Sequence, residues 1–349
     1  MIMAESSTLT KNMNAQKKPT QVLLWSQGRT ACHLLERMLF SKQPNAKMLW
    51  HPFLQGRRTQ VPLFPEDSIA RGIPEETRGE YHEAVHAGIK EWEKALEEAE
   101  KEHKSNHSTK PSSSTNTPNS PSTHNKPYPT STPKNQPSPP ASTPTNPTLI
   151  PSHLLLHPQT LPILTFRHPA YIIPSAFKFL VYNTSNSIHS SSSPNQAAEK
   201  SYMGISLVTS LHWQRKLYEF YKFHNIDPLV VESSSYQSSP TFVRKVCKLA
   251  GLDPEAAVFE WDKMEEEDQE KLDPQVRYLM KTLNDSTGLR VELAKRGMGE
   301  GEDGEVDLEV LEGEWKREFG EEAAGFIRRE VEAGLEDYAF LRERRVRED

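Results

Sequence analysis

Cys32 and Cys247 are all the thiol chemistry this 349-residue chain contains. Two cysteines exclude a disulfide framework, and their separation excludes a cysteine-rich metal knuckle. No Gly-Lys pair occurs anywhere, so the G-x-x-x-x-G-K-[ST] phosphate loop is absent. No apolar run approaches the roughly 18 residues of a membrane span, and the first residues lack the apolar core of a secretory signal. Apolar side chains make up only 35% against 27 prolines, so part of the length has to lie outside any core. A net charge of −6 leaves no basic footprint for nucleic acid or an anionic membrane. The expectation is a soluble, cytoplasmic protein with neither nucleic-acid nor membrane partners.

What is present is an alternation of short apolar runs and amphipathic stretches. Residues 1–20 are polar and aperiodic, and read as a disordered arm. Gln21–Trp25 (QVLLW) reads as a buried strand and Ala31–Phe40 as a helix, with Leu34, Leu35, Met38 and Leu39 on one face. Ala46–Trp50 (AKMLW) reads as a second strand ending at His51-Pro52, and residues 75–103 as an exposed, charged helix. From about 105 to 147 the chain holds eleven prolines among Ser, Thr and Asn, with Tyr128 and Ala141 as its only apolar side chains. Such a segment buries too little to offset its ordering entropy and is expected to be a disordered insertion. Residues 183–200 have the same character.

Folded pattern resumes at Leu161–Phe166, a strand ending in Arg167-His168-Pro169, with a helix start near Pro174. Leu207–Phe223 is amphipathic, Pro228–Val231 is strand-like, and Glu232–Ser239 reads as a polar turn. Pro240–Leu252 has a proline start and the Gly251 stop of a helix, and a charged helix covers Gly320–Val346. Strands separated by helices predict an α/β fold: a three-layer sandwich around a parallel sheet, in one domain over 21–349.

Two loops carry chemistry. A helix N-terminus after a buried strand presents free N–H groups and a positive dipole end to an anion. At that turn Ser26, Gly28, Arg29 and Thr30 add hydroxyls and a cation. An ordinary strand–helix turn looks the same. Arg167, directly after the third apolar run, with Ser175 eight residues on, is the second loop.

Together, LLWSQGRT and ILTFRHPAYIIPSAF resemble the sulfotransferases, whose fold belongs to the P-loop nucleotide hydrolase-like class. The tokens NPTLIPSHLLLH, LVVESSSY…FVRKVCKLAGLD and WKREFG…LEDYAFLRERR are most similar to fungal sulfotransferase-like proteins of secondary metabolism. The likeness covers most of the chain outside the arm and insertions. It implies 3′-phosphoadenosine 5′-phosphosulfate as co-substrate, no metal, and sulfuryl transfer to a hydroxyl or amine of a small molecule. It also implies that the first loop holds the 5′-phosphosulfate while Arg167 and Ser175 hold the 3′-phosphate. Arg suits that task, because its guanidinium binds phosphate bidentately.

The chain departs from the family in having Gly28 where proline is common, and Ala31-Cys32 after the loop. The family's Lys-x-His base matches Lys101-Glu102-His103, which sits in a charged helical pattern rather than after a strand. His51 is the second candidate base. His168 reads as part of the nucleotide loop, and His153, His157, His212 and His224 as surface or core residues. Glu265–Asp268 reads as a solvated acidic face. A P-loop protein of other activity and a non-catalytic member remain open.

Overall fold

A computed structural model describes residues 21–44, 46–49, 51–53, 75–107, 145–186, 205–206, 208–272, 274–291 and 306–348. The arm at 1–20, most of the 105–147 insertion and residues 187–200 therefore lie outside the described residues. Among the described residues three strands, β1 (Gln21–Ser26), β2 (Thr160–Phe166) and β3 (Leu229–Glu232), form one parallel sheet in that order. Their register sets Ser26 beside Thr165 and Phe166 beside Glu232, so all three carboxyl ends share one edge.

The strands are apolar on both faces, as parallel strands covered twice must be. Leu23 and Trp25, Leu164 and Phe166, and Val230 point into one core. Val22 and Leu24, Leu161 and Ile163, and Leu229 and Val231 point into the other. The first core is closed by α2 (Glu75–His107) through Val85, Ile89 and Trp92, and by α4 (His212–Phe223) through Leu217, Phe220 and Tyr221. The second is closed by α1 (Cys32–Phe40) and α6 (Pro240–Leu249), whose Leu35, Met38, Leu39, Phe242, Val243, Val246 and Cys247 are buried. Helices thus lie on both faces, as expected. A further cluster joins α3 (Pro169–Asn186), α8 (Leu308–Phe319) and α9 (Glu321–Glu343), with α7 (Pro274–Asn284) between α6 and α8 in the chain.

Three expectations are corrected. Residues 46–49 form no strand; Met48 is half exposed, while Leu49 packs on the first core as irregular chain. The polar segment after β3 is α5 (Ser233–Ser238), a helix rather than a turn. The helix expected to end by 103 runs to His107, three residues into the expected insertion, and α3 likewise runs to Asn186.

Candidate functional site

The loop Gln27–Ala31 joins β1 to α1 at the carboxyl edge of the sheet. Its backbone enters the left-handed region at Arg29 (φ 66°) and Ala31 (φ 57°), neither a glycine, while Gly28 avoids it. Each such residue costs on the order of 1 kcal/mol, so the surroundings have to enforce the shape. They do so through Thr30. Its hydroxyl donates to the Gln27 carbonyl at 2.8 Å and therefore accepts from Thr165 at 3.2 Å. Its carbonyl accepts from Ser233 Oγ at 2.8 Å and from the Tyr236 hydroxyl. Ala31 caps α1 with no side-chain hydrogen bond.

Onto this loop the structure brings both arginines and Ser175. Arg29 Nε donates to Ser175 Oγ at 2.9 Å, and Arg167 Nη1 donates to the Arg29 carbonyl at 3.4 Å. The guanidiniums lie against aromatic faces, Arg29 over Phe179 at 5.9 Å and Arg167 over Tyr171 at 5.4 Å. Burial lowers the Arg167 pKa, and the positive charge of Arg29 lowers it further. Among the described residues the ionisable groups acting on Arg167 are Tyr236, Tyr171 and Arg29, with no carboxylate. The nearby acid, Glu232, is committed elsewhere: it accepts from Tyr338 at 2.7 Å and pairs with Arg345 at 3.1 Å.

Gln27 is buried with neither amide atom partnered among the described residues. Gln214 of α4 donates to the Trp25 carbonyl at 3.4 Å, but its Oε1 likewise lacks a partner. Buried polar atoms left open are rare, and each calls for an explanation. Ser26 is exposed at the end of β1, near the half-buried Cys32 thiol, whose pKa burial raises. The segment holding Val208 packs on Gly28, and its neighbours Ser206, Thr209 and Trp213 wall a cavity of about 230 Å³ shared with Pro169 and Gly334.

The candidate bases fall at different places. On α2, Gly88 lies against Pro52 and Phe53, Trp92 bonds Gln21 at the amino end of β1, and Glu100 meets His157 ahead of β2. The helix therefore leads away from the arginines, towards an edge separated from them by about 17 Å of strand. Lys101 is exposed there and pairs with Glu97 at 3.7 Å. His103 belongs to the same helix end, and its side chain lies outside the described residues. His51 is half-buried with φ 44°, its ring 5.0 Å from that of His33 in the first turn of α1. His168 follows Arg167, and its Nδ1 accepts from the Ala170 N–H at 3.1 Å.

Sequence reasoning missed Gln27, Thr165, Gln214, Ser233 and Tyr236. Their roles depend on which strand ends adjoin, which no local spacing reveals.

These features define a class: an α/β protein that gathers two arginines and a hydrogen-bonded loop at the carboxyl edge of a parallel sheet, where such folds take ligands. Over 194 residues the chain is 29% identical to sulfotransferase ppzF of Metarhizium majus, and 27% identical to sulfotransferase ppzF of Metarhizium rileyi. Each match covers 52% of this chain and 52% of the relative, so the chain spans about half the length of the curated relatives it matches. The chain is thereby similar to fungal sulfotransferases. No family model matches it, and no solved structure matches it.

Proposed function

We propose that the chain binds 3′-phosphoadenosine 5′-phosphosulfate at the Gln27–Thr30 loop and transfers its sulfuryl group to a hydroxyl or amine of a small molecule, in a fungal type of secondary metabolism. On this reading the fold is of the P-loop class. The observation that carries the proposal is Arg167, a half-buried guanidinium beside a second one, with no carboxylate acting on it among the described residues. A charge drawn partly out of water favours a counter-charge, and a phosphate anion supplies one while accepting bidentate hydrogen bonds. The other contact of a 3′-phosphate clamp comes from Ser175, which Arg29 holds from the 5′-phosphosulfate loop. The open amide of Gln27 is a further donor and acceptor at the loop.

In the transfer, the acceptor oxygen or nitrogen bonds to sulfur while the bond from sulfur to the bridging phosphate oxygen breaks. The acceptor's proton goes to a base, and Arg29 offsets the charge that develops on the departing 3′,5′-bisphosphoadenosine. His51 is the base candidate beside the first turn of α1, with His103 the alternative from the resemblance. The cavity walled by Thr209 and Trp213 is a candidate for part of the acceptor pocket.

Calorimetry tests donor binding. The chain should bind 3′,5′-bisphosphoadenosine more tightly than 5′-AMP, and Arg167→Ala should cost about 1.5–3 kcal/mol of that binding. Equal affinity for the two nucleotides sinks the proposal. The exposed position of Lys101 favours a second reading, a member that binds the donor without turnover. His51→Ala and His103→Ala, assayed on an acceptor panel with donor binding as control, separate the two readings. Loss of rate at full binding identifies the base; a wild-type chain that binds and never turns over supports the second.

A further inference from the structure

Three side chains beside the candidate site have no part in holding the donor. His33 and Glu36 stand one turn apart on α1, with His33 Nδ1 3.3 Å from Glu36 Oε2. His51 comes from the segment after the helix, and one ligand atom from each of the three lies within 4.8 Å of the others. From this cluster we propose that the chain carries a binding site for a divalent transition-metal ion of the Zn²⁺ class, held by His33, Glu36 and His51.

Two imidazoles and one carboxylate form a borderline donor set that suits Zn²⁺ and its neighbours rather than Ca²⁺ or Mg²⁺. With metal–ligand bonds of about 2.0–2.2 Å, tetrahedral ligands stand roughly 3.3–3.5 Å apart. The His33–Glu36 pair is already at that spacing. The third ligand atom lies within 4.8 Å of both, so a small shift of the His51 side chain completes the set. The rings of His33 and His51 meet edge to face, their centroids 5.0 Å apart and their planes at 67°. An ion pair alone would need only His33 and Glu36. His51, fifteen residues further on and held with φ 44°, turns the pair into a three-donor set. All three residues are partly exposed, so an ion has a path in and an open position for water. Glu36 supplies the negative charge that sets a cation against the positive end of α1.

This inference does not rest on sulfuryl transfer. A bound ion takes the lone pair of His51 and leaves His103 as the base candidate, and metal binding is read without donor or acceptor present. The full chain, stripped with chelator, is titrated with Zn²⁺ by calorimetry and with Co²⁺ by its visible absorption. The expected result is one tight site per chain, with the intense d–d band of low-coordinate Co²⁺ carrying nitrogen ligands. Glu36→Gln, which keeps size and shape, and His51→Ala should each weaken that site at least tenfold and bleach the band. His153→Ala, a change at an exposed histidine outside the cluster, should leave both unaltered. Circular dichroism establishes that the variants are folded. No tight site in the wild type, or one that survives Glu36→Gln and His51→Ala undiminished, overturns the proposal.

Discussion

His168, the residue after Arg167, shows how one side chain ties the site to stability. Burial, and then the charge of Arg342, push its pKa down to about 4. The ring is packed edge to face against Tyr338 at 4.5 Å, and its Nδ1 accepts the Ala170 N–H at the start of α3. An unfolded histidine titrates near 6.5. Between pH 6.5 and about 4 the unfolded chain therefore binds the extra proton and the folded chain does not. The stability from a neutral His168 is complete above about pH 6.5 and drains away as pH falls towards 4. The amount is on the order of 2–3 kcal/mol. His168→Asn keeps an acceptor for the Ala170 N–H without the titration. Urea midpoints measured from pH 7 to pH 4.5 should fall less steeply for the variant; parallel slopes would remove His168 as the cause.

Helix α2 holds its place through a glycine. A Cβ on Gly88 would stand 2.5 Å from the Pro52 carbonyl oxygen and 2.7 Å from the Phe53 ring, while one on Gly313 of α8 would meet nothing within 4 Å. Alanine gains about 1 kcal/mol over glycine inside a helix. Gly313→Ala should therefore raise stability by about 0.5–1 kcal/mol, and Gly88→Ala should lower it by about 1–3 kcal/mol as overpacking outweighs propensity. Melting temperatures moving in opposite directions confirm the contact; a rise for both means that Pro52 and Phe53 yield. The same contact bears on what the sequence could reveal. The three strands of the sheet and helices α1, α6 and α9 were legible because their apolar spacing matches a single period over a long enough run. The segment Ala46–Leu49 was not. It is also a short apolar run, but Leu49 meets the core while Lys47 reaches out to Glu98, and periodicity cannot separate that from a strand. The candidate loop was legible in Arg29 and Arg167, because each stands just past a strand end, whereas Ser175, read near a helix start, lies inside α3. Ser233 and Tyr236 were visible only as polar residues after a strand. That they grip the Thr30 carbonyl follows from the parallel register of β1, β2 and β3. The His33–Glu36 spacing was readable on α1, yet its third member arrives from a segment whose path no local pattern gives.

Across the whole molecule, the segment after α9 closes the open side of the sheet. β3 is an edge strand among the described residues, and an edge exposes unpaired backbone groups. Val346 N–H donates to the Val230 carbonyl at 2.8 Å, Val346 packs on the second core, and Lys245 Nζ donates to the Arg347 carbonyl at 2.7 Å. Arg345 pairs with the nearly buried Glu232. The same stretch thus covers the edge of β3 and supplies the cation that keeps Glu232 occupied beside the candidate loop. Truncation after Arg344 removes both at once. It should cost about 2–4 kcal/mol, between the loss of a hydrogen-bond partner and the breaking of a buried ion pair, with Tyr338 still holding one carboxylate oxygen. Arg345→Ala alone should account for the larger part, because it leaves Glu232 under-compensated while the backbone bond to Val230 persists. Urea unfolding of wild type, Arg345→Ala and the truncated chain orders the contributions. If the truncated chain keeps the wild-type midpoint and slope, the segment covers the edge without stabilising it. If Arg345→Ala matches the wild type while truncation does not, the edge of β3 rather than the Glu232 pair is what the segment secures.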